Sequence, residues 1–170
     1  MPSPVAVSAV SGPAVSGQGV RLTDASGLHK VLVRQVSPTV AFGLTARPAE
    51  GVLALGYGYD EVLLLAESAP EPPAPAGAPR SVVDLTHGLS ALRLSGSAAP
   101  ELLSRVCALD LSEAMTPEGT LRCCPLAGLA VVLVRDDVEG ERSYLVLVDR
   151  SYGQSLYDVL LDAGAEFGLG

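Results

Sequence analysis

Five prolines fall between Ala69 and Arg80, in APEPPAPAGAPR, and no other stretch limits the possible folds so strongly. Each proline fixes φ and removes a backbone donor, so neither a helix nor an interior strand runs through this segment. The chain is thereby divided into two parts that form regular structure separately, joined by a tract that favours the extended polyproline conformation. At roughly 3.1 Å per residue the tract spans about 35 Å, enough to cross a small domain and begin a second half on its far side. The organisation expected is a flexible N-terminal arm over 1–27, a strand-rich first half over 28–68, the proline-rich linker over 69–80 and a second half over 81–170.

The arm is assigned because residues 1–27 are small and show no sustained period. In the first half, His29 to Val36 alternates as a strand, and Thr39 to Ala46 forms a second after the break at Pro38. Gly51 to Leu55 and Glu61 to Glu67 are two further apolar runs, and the intervening GYGYD suits a hairpin connection.

The second half opens with VVDLTHGLSALRLSGS, Val82 to Ser97: a short apolar run, a His-Gly turn, an alternating strand from Leu89 to Leu94, and Ser97 as N-cap of a helix over Ala98 to Val106. CALDLS leaves that helix, and Pro117 to Gly119 turns the chain. Thr120 to Leu126 and Leu129 to Asp136 follow, with Ala127-Gly128 between them allowing either a bent strand or a tight hairpin. DDVEGE reads as a charged turn, with Asp136, Asp137, Glu139 and Glu141 together at its solvated tip; YLVLVD reads as a buried strand. Ser151 caps a final helix whose apolar residues are Leu156, Val159, Leu160 and Ala163, stopped by Gly164. The fold class expected is α+β, two β-rich halves with packed helices sharing a sheet.

Charge and cysteine usage narrow the function. A net charge of −8 with pI near 4.6 disfavours nucleic acid or an anionic membrane surface as partner, and lysine occurs once, at Lys30. No apolar run approaches the roughly 20 residues of a membrane span, and residues 1–20 lack the basic and apolar regions of a signal peptide. Cys107, Cys123 and Cys124 fit no zinc spacing and leave one thiol over in any disulfide scheme, so reduced thiols in the cytoplasm are expected. His29 and His87 are the only imidazoles, and neither has a nucleophile context; Gly56-Tyr57-Gly58 lacks the third glycine of a dinucleotide site. Asp84 and Asp110 stand at element ends beside apolar residues, where a carboxylate needs backbone donors; Asp110 is the one weak candidate for a general base.

Taken in order, VVDLTHG, LRLSGS, CALDL and LVDRSYGQSLYDVLLDAG resemble the gamma subunit of heterotetrameric sarcosine oxidases, and LGYGYDEVLLLAES is similar to a turn of the same family. The resemblance is strongest from Ser81 to Ala163 and weak before Val52. That family is distantly related to the folate-binding fold of the glycine-cleavage aminomethyltransferase, so the resemblance implies the N-terminal part of that fold and places the transferase's catalytic aspartate on Asp110. Where the transferase carries its pocket segment, this chain has RCCPLAGLAVVLV, Arg122 to Val134, apolar and without paired acids.

The resemblance implies a noncatalytic subunit within a complex of alpha, beta and delta partners. FAD, FMN, NAD and tetrahydrofolate would lie on those partners, and sarcosine or a similar N-methyl amine would be oxidatively demethylated. Arg and Tyr are frequent interface anchors, so His87, Arg93, Arg150 and Tyr152, flanking the second-half strands, are the expected contact residues. Two other readings stand beside it: a free-standing folate-binding protein of aminomethyltransferase type using Asp110, and a nonenzymatic scaffold working through its arm and proline tract.

Overall fold

A computed structural model describes residues 7–34, 40–71 and 81–170. The strands before the linker are β1 (Val15–Gly17), β2 (Val20–Asp24), β3 (His29–Arg34), β4 (Thr45–Ala49), β5 (Val52–Gly56) and β6 (Glu61–Ala66). After it come β7 (Ser81–Asp84), β8 (Leu89–Ser95), helix α1 (Ala99–Ser104), β9 (Leu121–Leu126), β10 (Leu129–Arg135), β11 (Ser143–Asp149) and helix α2 (Gly153–Ala163). Short 3₁₀ turns flank α2 at Arg150–Tyr152 and Ala165–Phe167.

All pairings between these strands are antiparallel, and they make two sheets, ordered β1-β2-β8-β11-β10-β9 and β4-β5-β6-β3-β7. With β1 set aside, the second order, read from β7, is the first with each strand exchanged for the one five places away: β2 for β7, β3 for β8, β4 for β9, β5 for β10 and β6 for β11. The chain is therefore one five-strand unit built twice. The first strand of each unit pairs in the other unit's sheet, β2 on β8 and β7 on β3. The α+β class and the two related halves are as expected, but each half owns a sheet and lends one strand, rather than both sharing a single sheet.

Alternation along β8 and β11 shows how the layers assemble. Leu92, Leu94, Tyr144, Val146 and Val148 face the helices, in a core with Leu102 and Leu103 of α1 and Leu156, Tyr157 and Leu160 of α2. Ala91, Leu145 and Leu147 face the other way and meet Leu53, Leu55, Leu63 and Leu65 between the sheets. A third cluster, Val33, Val40, Ala54, Val62 and Leu64, belongs to the second sheet's other face. Strands buried on both faces read as unbroken apolar runs, and this accounts for YLVLV and VVLV. Much of the chain's apolar excess is absorbed in these layers.

Several sequence expectations are corrected here. The flexible arm over 1–27 does not hold for its second part: β2 lies between β1 and β8, with Val20 and Leu22 buried. Val10 packs in the helix-side core, and the Tyr157 hydroxyl donates to Pro13 O at 2.7 Å. Five residues of alternation were too short a period to register beside so many small residues; residues 1–6 lie outside the described part. The strand expected over 39–46 begins instead at Thr45 and includes Pro48, which an edge strand tolerates. β7, the first strand of the second unit, completes the first half's sheet. Of the linker, residues 72–80 lie outside the described part, as do 35–39.

Ser97 does not cap α1, whose N-cap is Ala98, with Pro100 in the first turn. Asp149, not Ser151, supplies the cap before α2, accepting the Ser151 N–H at 2.9 Å. Gly164 ends α2 in the right-handed region, so the reason for glycine there is space: a Cβ would collide with Leu169 and Leu102. Between β9 and β10 the chain turns in a tight hairpin through Ala127 (φ 48°) and Gly128 (φ 83°), the pair of positive φ values that a two-residue turn requires.

Candidate functional site

The two connections that carry the chain between sheets, residues 25–28 and 85–88, are chemical equivalents. Each begins with Asp-x-Ser/Thr: Asp24 Oδ1 accepts the Ser26 N–H, and Asp84 Oδ1 accepts the Thr86 N–H, both at 2.8 Å. Ala25 N–H donates to Ala91 O at 2.8 Å, and Leu85 N–H donates to Lys30 O at 2.7 Å. The Ser26 hydroxyl accepts the Ala91 N–H at 3.0 Å, and the Thr86 hydroxyl accepts the Lys30 N–H at 3.1 Å. Serine and threonine at the third position thus close the backbone ladder where the strands change sheets. The bonds from Thr86 hold the Asp84 carboxyl below its usual range. The aspartate of VVDLTHG is architecture.

Lys30 lies at the centre of this crossing and is fully buried. Its Nζ donates to Ser26 O and Leu28 O at 2.8 Å and reaches Thr86 O at 3.5 Å. Burial lowers its pKa from 10.5 to about 8, against the opposing pull of Asp24. An amine so tuned would be reactive in a cleft, but here no substrate reaches it. Sequence reasoning passed over Lys30, although its phase with Leu32 in HKVLVR placed it on an inward face.

Three of the four expected contact residues meet at one end of the helix-bearing sheet. His87 is exposed in the second crossing, Arg150 N–H donates to Gly88 O at 3.0 Å, and Tyr152 stands exposed one turn on. The Arg150 guanidinium donates to Val7 O at 2.7 Å. Arg93 lies elsewhere, four residues along β8. It spends its donors internally, on Asp136 Oδ2 at 2.9 Å, Asp136 O at 3.1 Å and the Ser143 hydroxyl at 2.8 Å.

Asp136 is buried and also pairs with Arg47 of β4, so one carboxylate ties the two sheets together. Beside it opens a cavity of about 190 Å³ with Leu53, Leu65 and Leu145 in its lining. Asp137 takes the Arg135 guanidinium at 2.9 Å and 3.2 Å; Arg135 in turn reaches Glu113, which also accepts from Arg142. The expected solvated tip is thus corrected: Asp136 and Asp137 face inward from it, and Glu139 and Glu141 remain outside.

Asp110 is exposed, and its carboxylate accepts the Ser112 N–H at 2.9 Å, which holds its pKa low. Its carbonyl accepts the Thr116 hydroxyl at 2.8 Å. This is the turn motif of Asp24, Asp84 and Asp149 a fourth time. Nearby, the β9–β10 hairpin closes in two residues and brings no acid toward it. The cysteines are thiols: Cys107 is buried with its Sγ 3.8 Å from that of Cys124, whose pKa is pushed up to about 12 by burial, and Cys123 is exposed.

The profile of the GCVT N-terminal domain matches residues 63–170. The chain is 33% identical over 156 residues to the sarcosine oxidase subunit gamma of Corynebacterium sp. (strain P-1), covering 88% of this chain and 75% of the relative. Against the subunit gamma of Arthrobacter sp. it is 33% identical over 159 residues, with the same coverage. Among solved structures, a chain of the heterotetrameric sarcosine oxidase from Corynebacterium sp. U-96 in complex with pyrrole 2-carboxylate superposes with a TM-score of 0.74 at 27% identity, covering 92% of this chain and 90% of that one. Glycine cleavage system aminomethyltransferase T from Bartonella henselae shares the fold, with a TM-score of 0.61 at 13% identity over 85% of this chain and 46% of that one. On the shared order of motifs, the identity and the coverage, this chain belongs to the sarcosine oxidase gamma subunit family, built on the GCVT N-terminal domain.

Proposed function

We propose that this chain is a noncatalytic gamma subunit that stabilises a multi-subunit flavoprotein oxidase acting on sarcosine or a similar N-methyl amine, in the cytoplasm. Alpha, beta and delta subunits are its partners in this reading, and FAD, FMN, NAD and tetrahydrofolate belong to them. The observation that carries the noncatalytic role is the state of Asp110: its carboxylate is engaged in its own turn, on an exposed surface, and the adjoining hairpin is too short to wall a pocket. Catalysis by one carboxylate requires further oriented groups around the reacting atoms. The corner of His87, Arg150 and Tyr152, where His87 and Tyr152 are exposed, is one proposed contact with the partners; Arg93 lies toward the opposite end of β8, where it fixes the β10–β11 hairpin.

Co-expression with the cognate oxidase subunits tests the reading. Stoichiometric copurification is expected, and Asp110→Asn should leave turnover of the assembled enzyme within about twofold, as suits a group outside the chemistry. A chain that stays a monomer in the presence of those subunits would refute the role. An intact complex that loses turnover with Asp110→Asn would refute the noncatalytic part alone.

A further inference from the structure

Four of this chain's seven aromatic side chains are at least partly sheltered: Tyr144 and Tyr157 are buried, Tyr57 is half-buried, and Phe167 lies under the Arg105 guanidinium, 4.9 Å from its ring centroid, while Tyr152 stands alone and exposed. Phe42 and Tyr59 are treated otherwise. They are 48% and 86% exposed, yet their rings pack against each other, centroids 5.1 Å apart and planes tilted by 35°, and Leu44, 51% exposed, follows two residues after Phe42. The backbone beneath is not a loose loop. Gly43 N–H donates to Gly56 O at 3.0 Å and Leu121 N–H to Gly43 O at 2.8 Å, while Thr45 N–H donates to Gly119 O at 2.9 Å. The segment is therefore stitched to β5 on one side and to the start of β9 on the other. Gly56 makes this possible, because any Cβ there would strike the Ala41 carbonyl.

Arg122 adds an independent observation. In this acidic chain Arg34, Arg47, Arg93, Arg105, Arg135 and Arg142 each hold a carboxylate; among the described residues Arg21, Arg122 and Arg150 hold none, and of these Arg122 is the one beside the Phe42 segment. Arg122 is exposed and has no carboxylate among the described residues; one of its terminal nitrogens donates to Leu121 O at 3.0 Å and lies 3.6 Å from where a Cβ on Gly43 would stand. It therefore sits against the loop that presents Phe42. A pair of exposed rings in mutual contact, on a hydrogen-bonded backbone and beside a guanidinium with no carboxylate among the described residues, is the composition of an interface anchor.

We infer that Phe42, Tyr59, Leu44 and Arg122 form a second docking surface, which seats in a partner subunit of the oxidase through an apolar pocket for the two rings and a carboxylate for Arg122. This rests on the functional reading above. It lies at the β5 and β9 ends, away from the His87–Tyr152 corner, so the chain would bridge rather than merely cap its complex.

Copurification of the tagged chain with its cognate subunits, for wild type and variants, tests it. The Phe42→Ser/Tyr59→Ser double variant and the single Arg122→Glu variant should each reduce retained partner by roughly tenfold or more, and Arg122→Lys should retain it. Circular dichroism of the eluted chain should be unchanged, since all the altered side chains are exposed. Should the double variant aggregate, Arg122→Glu decides alone, with a loss that high salt reproduces in wild type. Full retention by Arg122→Glu, or by a folded double variant, would overturn the inference and leave the functional reading standing. So would variants that only abolish self-association in light scattering, for then the occupant is a second copy. A wild-type chain that retains no partner refutes the functional reading and this inference together.

Discussion

Lys30 offers a direct test of the crossing between the sheets, because this chain has no other lysine. Its pKa falls from 10.5 to about 8, burial being the largest cause. That shift corresponds to roughly 3 kcal/mol against the charged form in the fold. Between about pH 8 and 10.5 the unfolded chain holds more protons on this amine than the folded chain does. Stability therefore rises with pH through that window, and this contribution is lost as pH falls through about 8. Protein labelled with ¹³C-lysine should show one lysine side-chain resonance titrating near pH 8. Lys30→Met removes the titration and leaves the carbonyls of Ser26, Leu28 and Thr86 without their shared donor. In urea unfolding, the stability gap between wild type and Lys30→Met should widen by about 2–3 kcal/mol from neutral pH to about pH 10, since only the wild type gains from losing the buried charge. A resonance titrating near 10.5, or a gap that stays constant with pH, would refute the burial of this amine at the crossing.

Other outcomes follow from the same geometry. Asp136→Asn should cost roughly 3 kcal/mol in urea unfolding, because it strands Arg93 between the sheets, whereas Arg47→Gln at the exposed end of the pair should cost less than about 1 kcal/mol. Ser26→Ala and Thr86→Val each free one backbone N–H, of Ala91 and Lys30 respectively. Comparable losses of about 1–3 kcal/mol are expected from the two; a large inequality would count against the equivalence of the crossings. Brief alkylation at neutral pH should label Cys123 first by mass spectrometry, with the buried Cys107 and the raised Cys124 thiol reacting only on unfolding.

The motifs were informative in proportion to how local their chemistry is. Asp-x-Ser/Thr at 24, 84, 110 and 149 is a bond between residues two apart, so the turn role of Asp84 and Asp110 was open to a reading of the chain alone. The acids of DDVEGE were misjudged as solvated because a hairpin tip resembles a charged surface turn until its partners are known. Those partners are Arg93 and Arg47, 43 and 89 residues from Asp136 in sequence. The Phe42–Tyr59 contact is likewise not legible in the sequence, since nothing local in either residue announces the other.

The sequence by itself determined the strand-rich second half, the positions of both helices to within a few residues, the turn aspartates and the family motifs, because alternation, helical spacing and short-range hydrogen bonds are written in neighbouring residues. Tertiary structure alone decided that the two halves exchange β2 and β7, that Lys30 is sealed among carbonyls at the exchange, and that the N-terminal residues from Val15 form an outer pair of strands. A strand's pattern specifies which face it buries but not which strand it joins, and that choice is made by the packing of layers far apart in the chain.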